Sequence, residues 1–122
     1  MAIRILVVDD EAYARQLVRA LLERAGYEVL TASSADDGLR MMREARPDMV
    51  TVDLMMPGRS GLDLLSDKLA DPDIRPIPSL VLTAVGLNAE LDRALALGAG
   101  GALSKPFSQH QLLEAVRGLM GG

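Results

Sequence analysis

The sequence predicts an α/β fold, a doubly wound parallel sheet with helices on both faces. Three observations predict it. Five short apolar runs alternate with five amphipathic stretches between Ile3 and Leu119, the pattern of strands joined by helical crossovers. The runs are close to continuously apolar, as strands buried on both faces are. The polar residues able to do chemistry stand at the carboxyl ends of these runs, the edge where open α/β sheets bind ligands. Right-handed crossovers then wind the sheet in both directions.

Taken in order, Ile3–Val8 is the first strand, ended by Asp9, Asp10 and Glu11. From Glu11 the spacing becomes helical. Ala14, Leu17, Val18, Leu21, Leu22 and Ala25 form a stripe, Arg15, Arg19, Glu23 and Arg24 lie on other faces, and Gly26 stops the helix. Glu28–Ala32 is the second strand. Ser34 reads as an N-cap with Asp37 as a capping-box variant. Leu39, Met42 and Ala45 carry that helix to Arg46-Pro47, where proline ends it. Asp48–Asp53 (DMVTVD) is the third strand. Met56 to Gly61 form a loop into a short helix carrying Leu62, Leu65 and Leu69, with Pro72 and Pro76 at its exit. Ser79–Thr83 is the fourth strand, Asn88–Leu97 a helix closed by Gly98, and Gly101–Ser104 the fifth strand. Ser108 caps a last helix with Leu112, Leu113, Val116 and Leu119 on one side.

The 122 residues make a single domain, 1–122, large enough for one buried core. Hydrophobic residues at 49% and charged residues at 25% describe a globular chain rather than a disordered one. A net charge of −4 leaves no basic surplus to neutralise phosphates, which speaks against direct nucleic-acid binding. Tyr13, Tyr27 and Phe107 are too few for a base-stacking surface. Without cysteine there is no disulfide and no thiolate metal site. The opening apolar run is too short for a signal peptide or a membrane span, and acids interrupt it. A soluble, cytoplasmic domain with no membrane attachment is expected. Gly121-Gly122 reads either as a frayed end or, with residues 119–120, as the start of a linker to an output domain.

At the carboxyl edge, the first strand ends in Asp9 and Asp10, the third in Asp53, the fourth in Thr83 and the fifth in Ser104-Lys105-Pro106. If the first and third strands are neighbours, Asp9, Asp10 and Asp53 converge. Two carboxylates about 4 Å apart repel by roughly 1–4 kcal/mol, so three together must raise a pKa, find a cation, or both. Oxygen-only ligands completed by water suit Mg²⁺ better than zinc. Lys105 adds a positive charge and Thr83 a hydroxyl donor. A carboxylate nucleophile beside a divalent cation, a lysine and a hydroxyl is suited to accepting a phosphoryl group, with Asp53 attacking in line.

Asp9-Asp10 after ILVV, the segment VDLMMPGRSGLDLL around Asp53, LTA at Thr83 and SKPF at Lys105 closely resemble the receiver domains of two-component response regulators. The resemblance runs from Ile3 to about Leu119. It includes the spacings of 30 residues from Asp53 to Thr83 and 22 from Thr83 to Lys105. It implies a flavodoxin-like (βα)5 fold with strand order 2-1-3-4-5. It implies that Asp53 is the phosphoacceptor, that Asp10 ligates Mg²⁺ directly and Asp9 through water, and that the Met55 carbonyl supplies another oxygen. Thr83 and Lys105 would each contact a phosphoryl oxygen, and Pro106 would be cis. The implied partners are a sensor histidine kinase or a histidine phosphotransfer protein, and an output domain or effector protein. The role is that of a signalling acceptor rather than an enzyme, with slow self-dephosphorylation.

The sequence departs from the family pattern where an aromatic is usual three residues before the lysine. Ala102 stands there, behind Gly100-Gly101 in place of an acidic pair. Met55 and Val85, two residues beyond Asp53 and Thr83, are both apolar, which predicts a shielded and long-lived phosphoryl group. Other functions fit less well. An aspartyl-phosphate hydrolase wants an acid where Met55 stands. A nucleotide-binding module wants a glycine-rich first turn where DDEAYA stands. A pseudo-receiver acting only as an interaction module would lack one of Asp10, Asp53 or Lys105. His110 reads as a solvated bystander, Met41-Met42 as core plus neighbour, and Arg40, Arg43 and Arg46 as surface.

Overall fold

The computed structural model describes residues 2–84, 86 and 88–121. The elements run β1 (Arg4–Val8), α1 (Ala12–Arg24), β2 (Glu28–Ala32), α2 (Ala35–Ala45), β3 (Met49–Asp53), α3 (Gly61–Ala70), β4 (Ser79–Ala84), α4 (Asn88–Ala96), β5 (Gly101–Lys105) and α5 (Gln109–Met120). All strand pairs are parallel and the sheet order is β2-β1-β3-β4-β5. The doubly wound fold and its order are therefore as expected. Leu119 and Met120 complete α5, and Gly121 caps it in the left-handed conformation, φ 77°. No helix among the described residues is long and apolar enough to cross a membrane.

Strand alternation divides the core in two. Leu6, Val8, Val50, Val52 and Val81 point to one face, where α2 and α3 bring Leu39, Met42, Leu64 and Leu65, and α4 brings Ala94. Ile5, Val7, Met49, Leu80 and Leu82 point to the other, where α1 brings Val18 and Leu22 and α5 brings Leu112 and Val116. The period of two in the strands and 3.6 in the helices is what makes both layers possible from one sheet.

Two helical stripes differ from the expected ones. On α1 only Val18 and Leu22 are buried; Leu17 is exposed and Ala25 is the C-cap. The apolar letters there are wider than the face the sheet covers. On α3 the buried positions are Gly61, Leu64, Leu65 and Lys68; of the expected Leu62, Leu65 and Leu69, only Leu65 is among them. These follow helical i, i+3, i+4, i+7 spacing, and leucines on nearly every side of α3 hid its true face. The cap at Ser34 is also only half of the expected box. The Asp37 N–H donates to Ser34 Oγ at 3.1 Å, while the Asp37 carboxylate pairs with Arg40 instead. Arg40 also pairs with Glu44, and Arg43 with Asp71 at 2.9 Å, so these exposed arginines carry partners.

Lys68, 5% exposed, donates from Nζ to the Arg75 carbonyl at 2.9 Å, tying the end of α3 to the loop before β4. Burial holds its ammonium below the ordinary lysine value of 10.5. A base whose folded pKa is depressed binds fewer protons when folded, so stability rises with pH between the folded pKa and 10.5, and the full penalty remains below that window. Lys68→Met is expected to flatten this rise. Urea unfolding of both proteins in steps from pH 8 to about 10.5 checks it; parallel pH profiles would contradict it.

Candidate functional site

The chain enters the sheet at β1, next to the edge, runs outward to the edge strand β2 and returns across β1 to the central strand β3. Strand order reverses between β1 and β3, which opens a crevice at their carboxyl ends. Register places the site residues there. Val8 pairs with Val52, so Asp9 and Asp53 each follow a paired position on neighbouring strands. Asp53 pairs with Leu82 on β4, one residue before Thr83, and Thr83 pairs with Ser104 on β5, one residue before Lys105.

The three acids expected to converge do so. One carboxylate oxygen from each of Asp9, Asp10 and Asp53 lies within 4.8 Å of the others. Asp9 is 2% exposed and Asp53 7%, while Asp10 faces solvent. Lys105 Nζ stands 3.5 Å from Asp53 Oδ2 and 3.7 Å from Asp9 Oδ2. Two buried carboxylates within 4.8 Å of each other repel by roughly 1–3 kcal/mol, and one part-exposed lysine offsets only part of three negative charges.

The Asp53 carboxyl is pushed above the ordinary carboxylate value, chiefly by burial, and Asp9 adds to the push. The Met55 N–H, donating to Asp53 Oδ1 at 3.1 Å, and the nearby Lys105 charge pull it back down. On Asp9, the Glu11 N–H donates to Oδ1 at 3.0 Å. Oδ2 is buried with no hydrogen-bond partner among the described residues. A bare, buried carboxylate oxygen is costly without a proton or a cation. With only oxygen donors in the cluster, a hard divalent cation fits these residues.

Around this centre, Thr83 is buried and its Oγ1 lies 3.4 Å from the Ala84 carbonyl, a long contact that leaves the hydroxyl free to change partner. The Lys105-Pro106 peptide is cis. The Met55 side chain is exposed at 58%, beside Asp53. Val85 lies outside the described residues. Ala102 is exposed on β5, paired with Val81. An apolar groove of about 290 Å³, lined by Tyr13, Leu17 and Phe107 among others, opens next to Glu11 and Lys105.

Four contributors escaped the sequence. The backbone N–H groups of Glu11 and Met55 carry no side-chain signature. Arg15, whose Nη1 donates to the Asp9 carbonyl at 2.8 Å, reads as one more surface charge on an amphipathic helix. Gly61 sits against β3; a Cβ on it would lie 2.5 Å from the Asp53 carbonyl oxygen and 2.8 Å from Leu54 Cα. Its place at the end of the PGRSG run hints only at a turn.

The profile of the response regulator receiver domain matches residues 5–117. The phosphate regulon transcriptional regulatory protein PhoB of Escherichia coli K12 is 36% identical over 98% of this chain and 52% of its own length. The probable transcriptional regulator ycf27 of Guillardia theta is 35% identical over 96% and 45%. The chain thus spans about half the length of these curated relatives. Among solved structures, a putative response regulator from Chloroflexus aurantiacus superposes with a TM-score of 0.95 at 29% identity over the full length of both chains. The chemotaxis protein CheY4 of Vibrio cholerae gives 0.91 at 31% identity, covering 98% of this chain and 99% of that one. The match thus extends over the whole sheet and all of its site-bearing strand ends, and the chain belongs to the response regulator receiver domain family, the phosphoacceptor signalling switches of two-component systems.

Proposed function

We propose that Asp53 is the phosphoacceptor of this domain and that Asp9 and Asp10 hold Mg²⁺ beside it. The observation that carries this is the buried Asp9 Oδ2, which among the described residues has no hydrogen-bond donor and whose close cation is Lys105. Asp10 and Asp53 would ligate the ion, with Asp9 acting through water and the Met55 carbonyl adding an oxygen. When bound, the ion supplies positive charge that stabilises the phosphoryl oxygens.

The chain's own residues do the rest. A carboxylate made more basic by burial attacks the phosphorus of a phosphohistidine or a small acyl phosphate. The P–N or P–O bond breaks, and its electron pair leaves with the imidazole or the acetate. Lys105, 3.5 Å from Asp53 Oδ2, pairs with a phosphoryl oxygen, and the Thr83 hydroxyl moves to another. The donor is a sensor histidine kinase or a histidine phosphotransfer protein, meeting the domain in the cytoplasm. Met55 and Val85 offer no polar group to orient water, so self-dephosphorylation is slow. Ala102 has no rotamer to switch, so the response travels through the backbone between Thr83 and α4 to an output domain or effector. Residues 1–122 form one receiver unit, with any linker following α5.

The cluster gives a test with two opposite signs. Asp10→Asn is expected to weaken Mg²⁺ binding at least tenfold, in line with the loss of a ligand. It is also expected to raise the melting temperature of the metal-free protein, because repulsion with Asp9 and Asp53 is relieved. Calorimetric titration and thermal unfolding read both. Unchanged metal affinity in Asp10→Asn would remove Asp10 from the ligands.

A further inference from the structure

Asp9 is nearly fully buried, and all but one of its polar atoms have partners. Its N–H donates to the Ala32 carbonyl at 3.1 Å, and Oδ1 accepts from the Glu11 N–H at 3.0 Å. Its main-chain carbonyl accepts from Arg15 Nη1 at 2.8 Å. That carbonyl lies just past the last paired residue of β1, Val8, and among the described residues it accepts no backbone hydrogen bond. A charged donor is the strongest partner available to it.

Arg15 also bonds the other end of the same turn, since its backbone N–H donates to the Glu11 carbonyl at 3.0 Å. One residue in the first turn of α1 therefore grips Asp9 with its side chain and Glu11 with its backbone, with Asp10 between them. Other support at this helix end is thin. Glu11, the N-cap, makes no side-chain capping bond, and the first turn holds no acid. Among the described residues the Arg15 guanidinium forms no ion pair, whereas Lys105 pairs with both Asp9 and Asp53. Arg15 thus acts on the main chain rather than by neutralising a carboxylate.

We propose that Arg15 is a positioning residue for the cation site: it fixes the Asp9–Glu11 turn so that Asp9 Oδ2 and the Asp10 carboxylate face Asp53. This rests on the cation-assisted reading above. Two roles for Arg15 predict opposite signs. A guanidinium acting only as a nearby positive charge repels a cation, so its removal tightens binding. A guanidinium that holds the turn loosens binding when it is removed.

The full chain and its Arg15→Met, Arg15→Lys, Arg15→Gln and Asp10→Asn variants are titrated with Mg²⁺ by calorimetry, and amide exchange is followed by NMR without metal. Arg15→Met is expected to weaken Mg²⁺ binding about tenfold, as loss of a support one bond removed from the ligands does. In the metal-free protein the Glu11 amide, bonded to Asp9 Oδ1, exchanges faster relative to the Val7 amide. Arg15→Lys and Arg15→Gln keep a donor for the carbonyl and recover most of the affinity, the uncharged glutamine included. Equal or tighter binding in Arg15→Met overturns the proposal, as does an unchanged Glu11 amide. Should Arg15→Met not fold, Arg15→Gln decides, because tighter binding there than in wild type marks a purely electrostatic role and overturns the proposal. Wild type that fails to bind Mg²⁺, or Asp10→Asn that binds it fully, overturns the cation reading and this proposal with it. Loss in Arg15→Met alone is not expected from either of those failures.

Discussion

Gly61→Ala is expected to destabilise the domain by at least the roughly 1–3 kcal/mol usual for overpacking a core. The methyl would stand 2.5 Å from the Asp53 carbonyl oxygen and 2.8 Å from Leu54 Cα. Both are backbone atoms, so no rotamer change can make room. Either α3 retreats from the sheet or the end of β3 moves, and β3 ends in Asp53. The capping box at Ser60 and Asp63, with Ser60 N to Asp63 Oδ2 at 2.8 Å, and the Gly61 N–H to the Leu54 carbonyl at 3.3 Å resist the first movement. The melting temperature should fall by on the order of 10 °C, and Mg²⁺ affinity should fall with it because Asp53 is displaced. Gly118 is the control. It lies within α5 with nothing within 4 Å of a Cβ, so Gly118→Ala should stabilise by up to about 1 kcal/mol. Thermal unfolding of the two variants checks the contrast, and a Gly61→Ala protein as stable as wild type would mean that α3 is free to retreat.

The fold was legible because its information is periodic. Continuous apolar runs and Ser or Gly at helix ends identify strands and helices without knowledge of the packing, and every expected element is present within a residue or two. The acid cluster was legible for a related reason. A parallel sheet delivers all strand ends to one edge, so Asp9, Asp10, Asp53, Thr83 and Lys105 needed only the order of the strands to meet. What escaped depends on packing in three dimensions. Lys68 fills a buried position that a leucine pattern would assign to Leu69, because its stem packs while Nζ reaches the Arg75 carbonyl. Arg15 and the Glu11 and Met55 N–H groups act through main-chain atoms. The identity of a side chain does not show whether a neighbouring carbonyl lacks a partner. Gly61 matters for what a Cβ would strike across α3 and β3, and a sequence read along one dimension cannot show that approach.

Phosphorylation with acetyl phosphate and Mg²⁺, followed by borohydride reduction and peptide mass mapping, tests the central claim most directly. An acyl phosphate on a carboxylate is reduced to the alcohol, so the modified aspartate is converted to homoserine and marked permanently. The buried, basic Asp53 beside Lys105 should be the one residue so converted, and chelation of the cation should abolish the conversion. Asp53→Asn should take up no phosphoryl group while remaining folded, since the amide keeps the shape of the carboxylate and an oxygen for the Met55 N–H. Homoserine at Asp53 alone, dependent on Mg²⁺, is the outcome expected. Homoserine at Asp9 or Asp10 in wild type, or an undiminished adduct on Asp53→Asn, would contradict it.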